Sequence, residues 1–255
     1  MRPLASTGST VATLLVAAVL LAGSATQLPT RTRTVAWPAT GSAPASASAS
    51  TEPAAAGSRP TKSHVPLAVP AAMAAQRLPL SAAFAPVPLE LRIPSLGLHV
   101  SVLAVGMNSK HVMDAPMGPA ASPVWQQAFW YRGSAMPGLR STALFAGHID
   151  DPLGRPGVFA DIDKLRKGDL VVVHDTRSGL DVRFAVTTAT SYPLDQTTDP
   201  AVLSRMYGTG PVNGKAAQHS VDGLSHLTLV TCAGTFDNGL GTHNRRLVVF
   251  ATRIA

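Results

Sequence analysis

The last two-thirds of this 255-residue chain predict an all-β fold with a few short helices, arranged as a closed β-barrel. Two observations support this prediction. Alternating or β-branched runs recur about every dozen residues, and proline or glycine residues separate many of them. Helical patterns are few and short, which favours a barrel over an alternating α/β architecture.

Seven runs carry the strand signal, and the Thr-Arg-Ser-Gly turn between the fourth and the fifth predicts a β-hairpin. In order, the runs are LELRIP (89–94), LHVSVLAVG (98–106), STALFAG (141–147), DLVVVHD (169–175), LDVRFAVTTATSYP (180–193), HLTLVTC (226–232) and RLVVFATRI (246–254). Short helices are predicted at VFADIDKL (158–165) and PAVLSRMY (200–207). Before the second helix, Asp199 is placed to cap it, and Pro200 takes the first helical position.

The first 85 residues differ from the rest in charge and composition. The chain carries a net charge of +7, and these residues hold six basic side chains against one acidic side chain. The stretch ATGSAPASASASTEPAAA (39–56) cannot bury enough apolar surface to offset the entropy of ordering. We therefore predict a disordered low-complexity linker over 26–85 and one globular domain over 86–255.

The extreme N-terminus predicts export. Arg2 precedes the apolar run VATLLVAAVLLAG (11–23), and small residues follow, as in a signal peptide or signal-anchor over residues 1–25. The run is shorter than the roughly 20 residues of a full membrane span, so cleavage and anchoring both stay open. Ser24 occupies the position at which a lipoprotein signal would have its lipid-bearing cysteine, so a lipid anchor is disfavoured. The domain is expected outside the cytoplasm, where the N-terminal charge suits an anionic membrane and wall.

Composition excludes several classes of function. A single cysteine excludes an intrachain disulfide and a zinc site built from several thiolates. The aromatic content of 5% and the location of the charge argue against a nucleic-acid reader. Metal and cofactor are expected to be absent, since the clustered carboxylates are spaced like ordinary turn and helix-surface charges: Asp150, Asp151, Asp161 and Asp163.

The single cysteine, Cys232, is the candidate nucleophile. It follows an apolar strand run and precedes Ala233 and Gly234, a position from which a side chain can reach a cleft. An unpaired thiol in an exported protein favours a reactive role, and an inert buried cysteine is the alternative. A reactive thiol needs a base or a cation, because the thiolate is the nucleophilic form.

Two further segments supply candidates for those roles. His148 follows Phe-Ala-Gly at the end of a predicted strand and is the candidate base, with a turn-capping loop histidine as the alternative. Arg245 and Arg246 open the last strand and can stabilise an oxyanion, whereas a solvated strand start is the alternative.

These three segments together resemble the signature of sortases, the cysteine transpeptidases of Gram-positive cell surfaces. HLTLVTCAG contains Cys232, FAGHID contains His148, and RRLVVFA contains Arg246, in the order found in that family. TCAGTFD (231–237) and FWYRGSAMPG (129–138) most resemble class F sortases of actinobacteria, with class E next. In sortases the arginine lies five residues before the small residue that closes the apolar run, and counting back from Ala251 gives Arg246. Arg245 is the alternate, on the opposite face of the strand.

The resemblance, which extends from about residue 89 to the C-terminus, implies an eight-stranded sortase-type barrel without a cofactor. It implies that Cys232 attacks the threonine of an LPxTG-like sorting signal, that His148 moves protons and that Arg246 binds the oxyanion. Thr231 lines the substrate groove or serves only as a structural strand residue. The implied partners are proteins with such a C-terminal signal and an amine of a peptidoglycan precursor or pilin. The alternatives are a tethered, non-catalytic barrel that binds wall polymer, or another secreted cysteine peptidase or transpeptidase.

Overall fold

The computed structural model describes residues 69–109, 112–211 and 215–255. Two α-helices lie within these ranges, α1 (Pro70–Gln76) and α2 (Pro200–Tyr207). The strands in the same ranges are β1 (Ala85–Ile93), β2 (Leu98–Val105), β3 (Ala128–Tyr131), β4 (Thr142–Ala146), β5 (Leu170–Asp175), β6 (Asp181–Pro193), β7 (His226–Asp237) and β8 (Thr242–Arg253).

The strands close into one barrel in the order β1-β2-β3-β4-β7-β8-β6-β5. The β2–β3 and β4–β7 pairs are parallel, and the other pairs, including the β1–β5 pair that closes the barrel, are antiparallel. The prediction of an all-β barrel with few helices is therefore confirmed. All five residues of β4 are buried, which explains why its sequence is a continuous apolar run without alternation.

Two elements differ from the sequence prediction. Strand β3 was not predicted, because its four buried residues are too short a run to show a periodicity. Residues 158–165 were predicted to be helical, but only a 3-10 turn forms there, at Ile162–Lys164. The helix-like apolar spacing arises because successive turns direct Val158, Phe159 and Leu165 into the core. Helix α2 forms as predicted, and the Asp199 carboxylate accepts hydrogen bonds from two backbone N–H groups of its first turn.

Two apolar clusters fill the domain. The larger one lies around Trp130, Phe145, Phe159 and Phe184, which are all fully buried. The smaller cluster contains Cys232 among its buried members, so one flank of the candidate nucleophile is packed against hydrophobic side chains. The other members of this cluster include Leu103, Val105, Met113, Phe129, Tyr131, Leu144, Tyr207, Val230 and Val248.

The folded domain begins before residue 86, inside the segment that was assigned to the linker. Val69, Ala72 and Ala75, at the start of and within α1, are buried against the larger cluster. Residues 77–84, here called the N-terminal strap, follow the helix. The side chain of Arg132, only 2% exposed, holds the strap to the barrel. Its guanidinium donates hydrogen bonds of 2.6–3.4 Å to the carbonyl oxygens of Pro79, Ala82, Ala83 and Ala104.

The predicted signal over 1–25 and the linker up to residue 68 lie outside the described residues. In the part of the chain that the structure describes, no helix is both long and apolar enough to span a membrane.

Candidate active site

Strands β7 and β8 position the candidate nucleophile. Cys232 lies directly opposite Arg246 in their antiparallel register. The sequence suggested that the strand ends at this cysteine, but β7 continues to Asp237 after a bulge between Ala233 and Phe236. Gly234 lies in this bulge with φ of +77°, and a Cβ there would meet the Asn244 side chain at 2.2 Å. A bulge at this position bends the strand immediately after the thiol.

The two arginines at the start of β8 point in opposite directions. Arg246 is 1% exposed, and its guanidinium donates to the backbone carbonyls of His243 and Arg245 and to the Thr242 hydroxyl. Burial lowers the pKa of Arg246, whereas the nearby Cys232 thiol acts to raise it. Arg245 instead donates to the hydroxyl and carbonyl of Ser191 on β6, at 2.8 Å each. Of the two arginines, it is Arg246 whose charge acts on the cysteine.

Parallel pairing of β4 and β7 brings the candidate base to the same level. Their register runs to Ala146 opposite Val230, and beyond it the Thr231 hydroxyl donates to the Gly147 carbonyl at 2.8 Å. Continuing this register by two residues places His148 level with Cys232. Thr231 is buried, and its hydroxyl contacts the protein's own backbone, which favours the structural role over a place in the substrate groove.

The ring of His148 is enclosed by aromatic side chains. It packs against Trp125 at 4.4 Å and against Phe129 at 5.2 Å between ring centroids. Nε2 lies 2.9 Å from the Pro116 carbonyl oxygen, which can only accept, so Nε2 carries the proton in the neutral ring and Nδ1 has the lone pair. Burial lowers the pKa of His148 below its ordinary value of 6.5. The imidazole is therefore largely neutral at neutral pH and able to accept a proton.

A second histidine, His243, lies near the cysteine, and its place at the site was not predicted from the sequence. Its Nε2 lies 3.4 Å from the Asp150 carboxylate, and its ring packs edge-on against Phe236 at 5.4 Å. Hydrogen bonds to Asp150 and to the Cys232 thiol raise the pKa of His243 to about 9. Strand alternation puts His243 on the face of Arg245, away from the thiol, so the sequence pattern gave no signal for this contact.

Cys232 therefore has the buried cation Arg246 opposite it, His243 nearby on β8, and the neutral His148 two residues beyond the end of the neighbouring strand β4. Such an arrangement suits a nucleophile that must develop negative charge and exchange a proton. Among the described residues, no group of three or more histidine, cysteine, aspartate or glutamate side chains is arranged to hold a metal ion.

Comparison with known proteins assigns this barrel to a family. A family model described as the sortase domain matches residues 91–254, well over half of the chain. The chain therefore belongs to the sortase family. A comparison with curated proteins finds none that matches at a significant level.

Several solved structures of sortases are similar to this chain. Sortase A from Corynebacterium diphtheriae has 17% sequence identity and a TM-score of 0.44, and the match covers 67% of this chain and 61% of that one. Sortase C-1 from Actinomyces oris has 18% identity and a TM-score of 0.41, covering 67% of this chain and 75% of that one. Streptococcus agalactiae sortase C1 has 20% identity and a TM-score of 0.43, with 66% of each chain covered. The family assignment rests on the family model.

Proposed function

We propose that this protein is a cysteine transpeptidase that cleaves an LPxTG-like sorting signal between threonine and glycine and transfers the threonine carbonyl to an amine. One observation carries the proposal. In a chain of the sortase family, the single cysteine lies opposite Arg246, and the β4–β7 register, extended two residues beyond its last pair, leads to His148. The proposed catalytic residues are Cys232 as nucleophile, His148 as general acid and base, and Arg246 as the group that stabilises the oxyanion.

The first half of the proposed reaction forms a thioester. The sulfur of Cys232 attacks the threonine carbonyl carbon while the thiol proton passes to Nδ1 of His148. The positive charge of Arg246 stabilises the oxyanion of the tetrahedral intermediate. When the intermediate collapses, the C–N bond to glycine breaks, and His148 returns its proton to the departing amine.

The second half transfers the acyl group. An acceptor amine attacks the thioester carbonyl carbon, and its surplus proton moves to His148. The C–S bond then breaks, the sulfur takes that proton, and a new amide links the sorted protein to the acceptor. If water attacks the thioester in place of the amine, the acyl-enzyme is slowly hydrolysed. The proposed reaction is therefore an acyl transfer of hydrolase type.

The environment of each residue supports these roles. Burial keeps His148 neutral so that it can accept the thiol proton, and its Nε2 is already bound to Pro116. Arg246 is preferred to its alternate Arg245 because the latter is held by Ser191 on the other strand face. We assign Thr231 to positioning rather than substrate binding, because its hydroxyl holds the backbone immediately before His148.

The finer assignments extend this proposal. The segments TCAGTFD (231–237) and FWYRGSAMPG (129–138) support a class F sortase, with class E as the alternative. The substrates would be proteins with a C-terminal LPxTG-like signal, and the acceptor an amine of a peptidoglycan precursor or a pilin. The enzyme would act at the cell surface of a Gram-positive organism, tethered by residues 1–25 or secreted after their removal.

A peptide assay tests the proposal. Wild-type protein is incubated with an LPxTG peptide library and a small amine, and mass spectrometry identifies cleavage after threonine and the amine adduct. We expect Cys232→Ala to abolish both products and to prevent the thioester adduct. Product formation by that variant at the wild-type rate would refute the nucleophile assignment.

The two arginines provide a matched pair. Arg246→Ala should lower kcat/KM by at least about 100-fold, the range seen when one oxyanion-stabilising donor is removed. Arg245→Ala should retain most of the activity, since its side chain contacts Ser191. The reverse result would transfer the role to Arg245.

A further inference from the structure

His243 and Asp150 form a pair that the three-residue mechanism leaves unused. The Nε2 atom of His243 lies 3.4 Å from an Asp150 carboxylate oxygen, and the residue is only 8% exposed. Cys232 lies opposite Arg246, three residues further along β8, and it is one of the groups that raise the pKa of His243. Phe236, its partner in the β7–β8 register, packs against the ring edge-on and restricts its orientation. A buried histidine paired with a carboxylate therefore lies close to the strand position that carries the thiol.

The charges around His243 come from three elements. Asp150, which follows β4, supplies the negative charge; Cys232 on β7 is the thiol; and Arg246 on β8 donates to the His243 backbone carbonyl. Because an opposite charge favours the ionised form of a histidine, Asp150 maintains the imidazolium. In keeping with this geometry, the pKa of His243 is raised to about 9, so the ring is protonated below that pH. The pKa of His148 is lowered, so the two histidines are in opposite states at neutral pH.

We propose that His243 is a second histidine of the catalytic centre, an imidazolium that Asp150 holds beside Cys232 to stabilise the negative charge on sulfur when the thiol proton moves to His148. This inference rests on the proposed function and divides the work between two rings. His148 accepts and returns the proton, and His243 keeps its own proton throughout. The bond changes of the thioester pathway stay as given above, and the sulfur gains a cation on each side, Arg246 and His243.

Absorbance of the thiolate tests this charge without any substrate. Because Cys232 is the single cysteine, the ultraviolet absorbance of the thiolate reports on that residue alone. We expect His243→Gln, which removes the charge and keeps a polar side chain, to shift thiolate formation upward by about one pH unit. At a fixed pH this is about a tenfold smaller ratio of thiolate to thiol. Asp150→Asn, at a partly exposed position, should shift it in the same direction by a smaller amount.

His226 provides the matched control. It lies on the same strand as Cys232 and forms its own pair with Asp222 at 3.0 Å, so His226→Gln removes a histidine–carboxylate pair six residues away. This variant should titrate like the wild type. In addition, the NMR signals of the His243 ring should show it protonated at neutral pH, while those of His148 show it neutral.

The outcomes separate this inference from the proposed function. If His243→Gln and Asp150→Asn fold, by thermal unfolding, and their thiolates titrate as in the wild type, the inference is refuted while peptide cleavage still tests the transpeptidase. If the wild type cleaves no sorting-signal peptide but both variants shift the titration, the sulfur–imidazolium contact stands and the proposed substrate class is wrong. A neutral His243 ring at neutral pH would also overturn the inference.

Discussion

Substitution of Thr231 by valine separates its two candidate roles. Valine keeps the β-branched shape but has no hydroxyl, so the variant loses the 2.8 Å hydrogen bond to the Gly147 carbonyl. That oxygen is buried, and a buried acceptor left without its donor costs about 1–3 kcal/mol. For a domain of this size, a loss of about 2 kcal/mol lowers the Tm by roughly 4–8 °C.

The same hydrogen bond fixes the backbone one residue before His148, so the catalytic effect should appear in kcat. We expect Thr231→Val to lower the Tm by that amount and to reduce kcat for an LPxTG peptide several-fold, with KM little changed. Thr231→Ser retains the donor and serves as the control, with a smaller effect on both Tm and kcat. A large rise in KM at unchanged Tm would refute the structural role and place Thr231 in the substrate groove.

Three further predictions follow from individual polar side chains. The acid limb of the kcat/KM profile should have its midpoint below pH 6.5, because burial lowers the pKa of His148 and only the neutral ring accepts a proton. Trp125→Ala should admit water to the ring and move that midpoint to higher pH; an unchanged midpoint would show that Trp125 does not shield His148. Arg132→Met should lower the free energy of unfolding, measured by denaturant titration, by about 3–5 kcal/mol and should expose the N-terminal strap to proteolysis. The control Arg92→Met breaks a half-exposed pair with Glu90 and should lower the free energy of unfolding by no more than about 1 kcal/mol. Asp199→Ala should cost about 1 kcal/mol through loss of the cap on α2, and Asp199→Asn should restore most of it.

Features that follow a strict strand periodicity could be predicted from the sequence. Seven of the eight barrel strands, the cap of α2 and the opposite directions of Arg245 and Arg246 could be predicted from run pattern or local backbone geometry, and the structure bears them out. The glycine before His148 also has a physical reason, because a Cβ on Gly147 would lie 2.6 Å from Val158. These rules are local, so the residues that follow them can be recognised from the sequence alone.

Features that depend on a break in the periodicity could not be predicted. His243 reaches Cys232 across a bulge in β7, and a bulge changes the direction of side chains without a fixed sequence signal. The start of the domain was missed for another reason. The buried residues of α1 include Ala72 and Ala75, whose small side chains resemble those of the linker. Arg132 binds backbone carbonyls, which every residue offers, so nothing in the sequence of the strap reveals its partner.

The Arg132 clamp has a mechanical consequence when the domain is pulled from its N-terminal side. Tension applied along the chain from that side passes through α1 to the strap. The Arg132 guanidinium then transmits it to β2, because the same side chain binds the carbonyls of Ala82 and Ala104. A second anchor comes from Met107, just beyond the end of β2, whose backbone N–H donates to the carbonyl oxygen of Leu80 in the strap at 2.7 Å. The load is thus shared by several bonds at once, whereas a pull on the end of β1 alone would open its ladder one bond at a time.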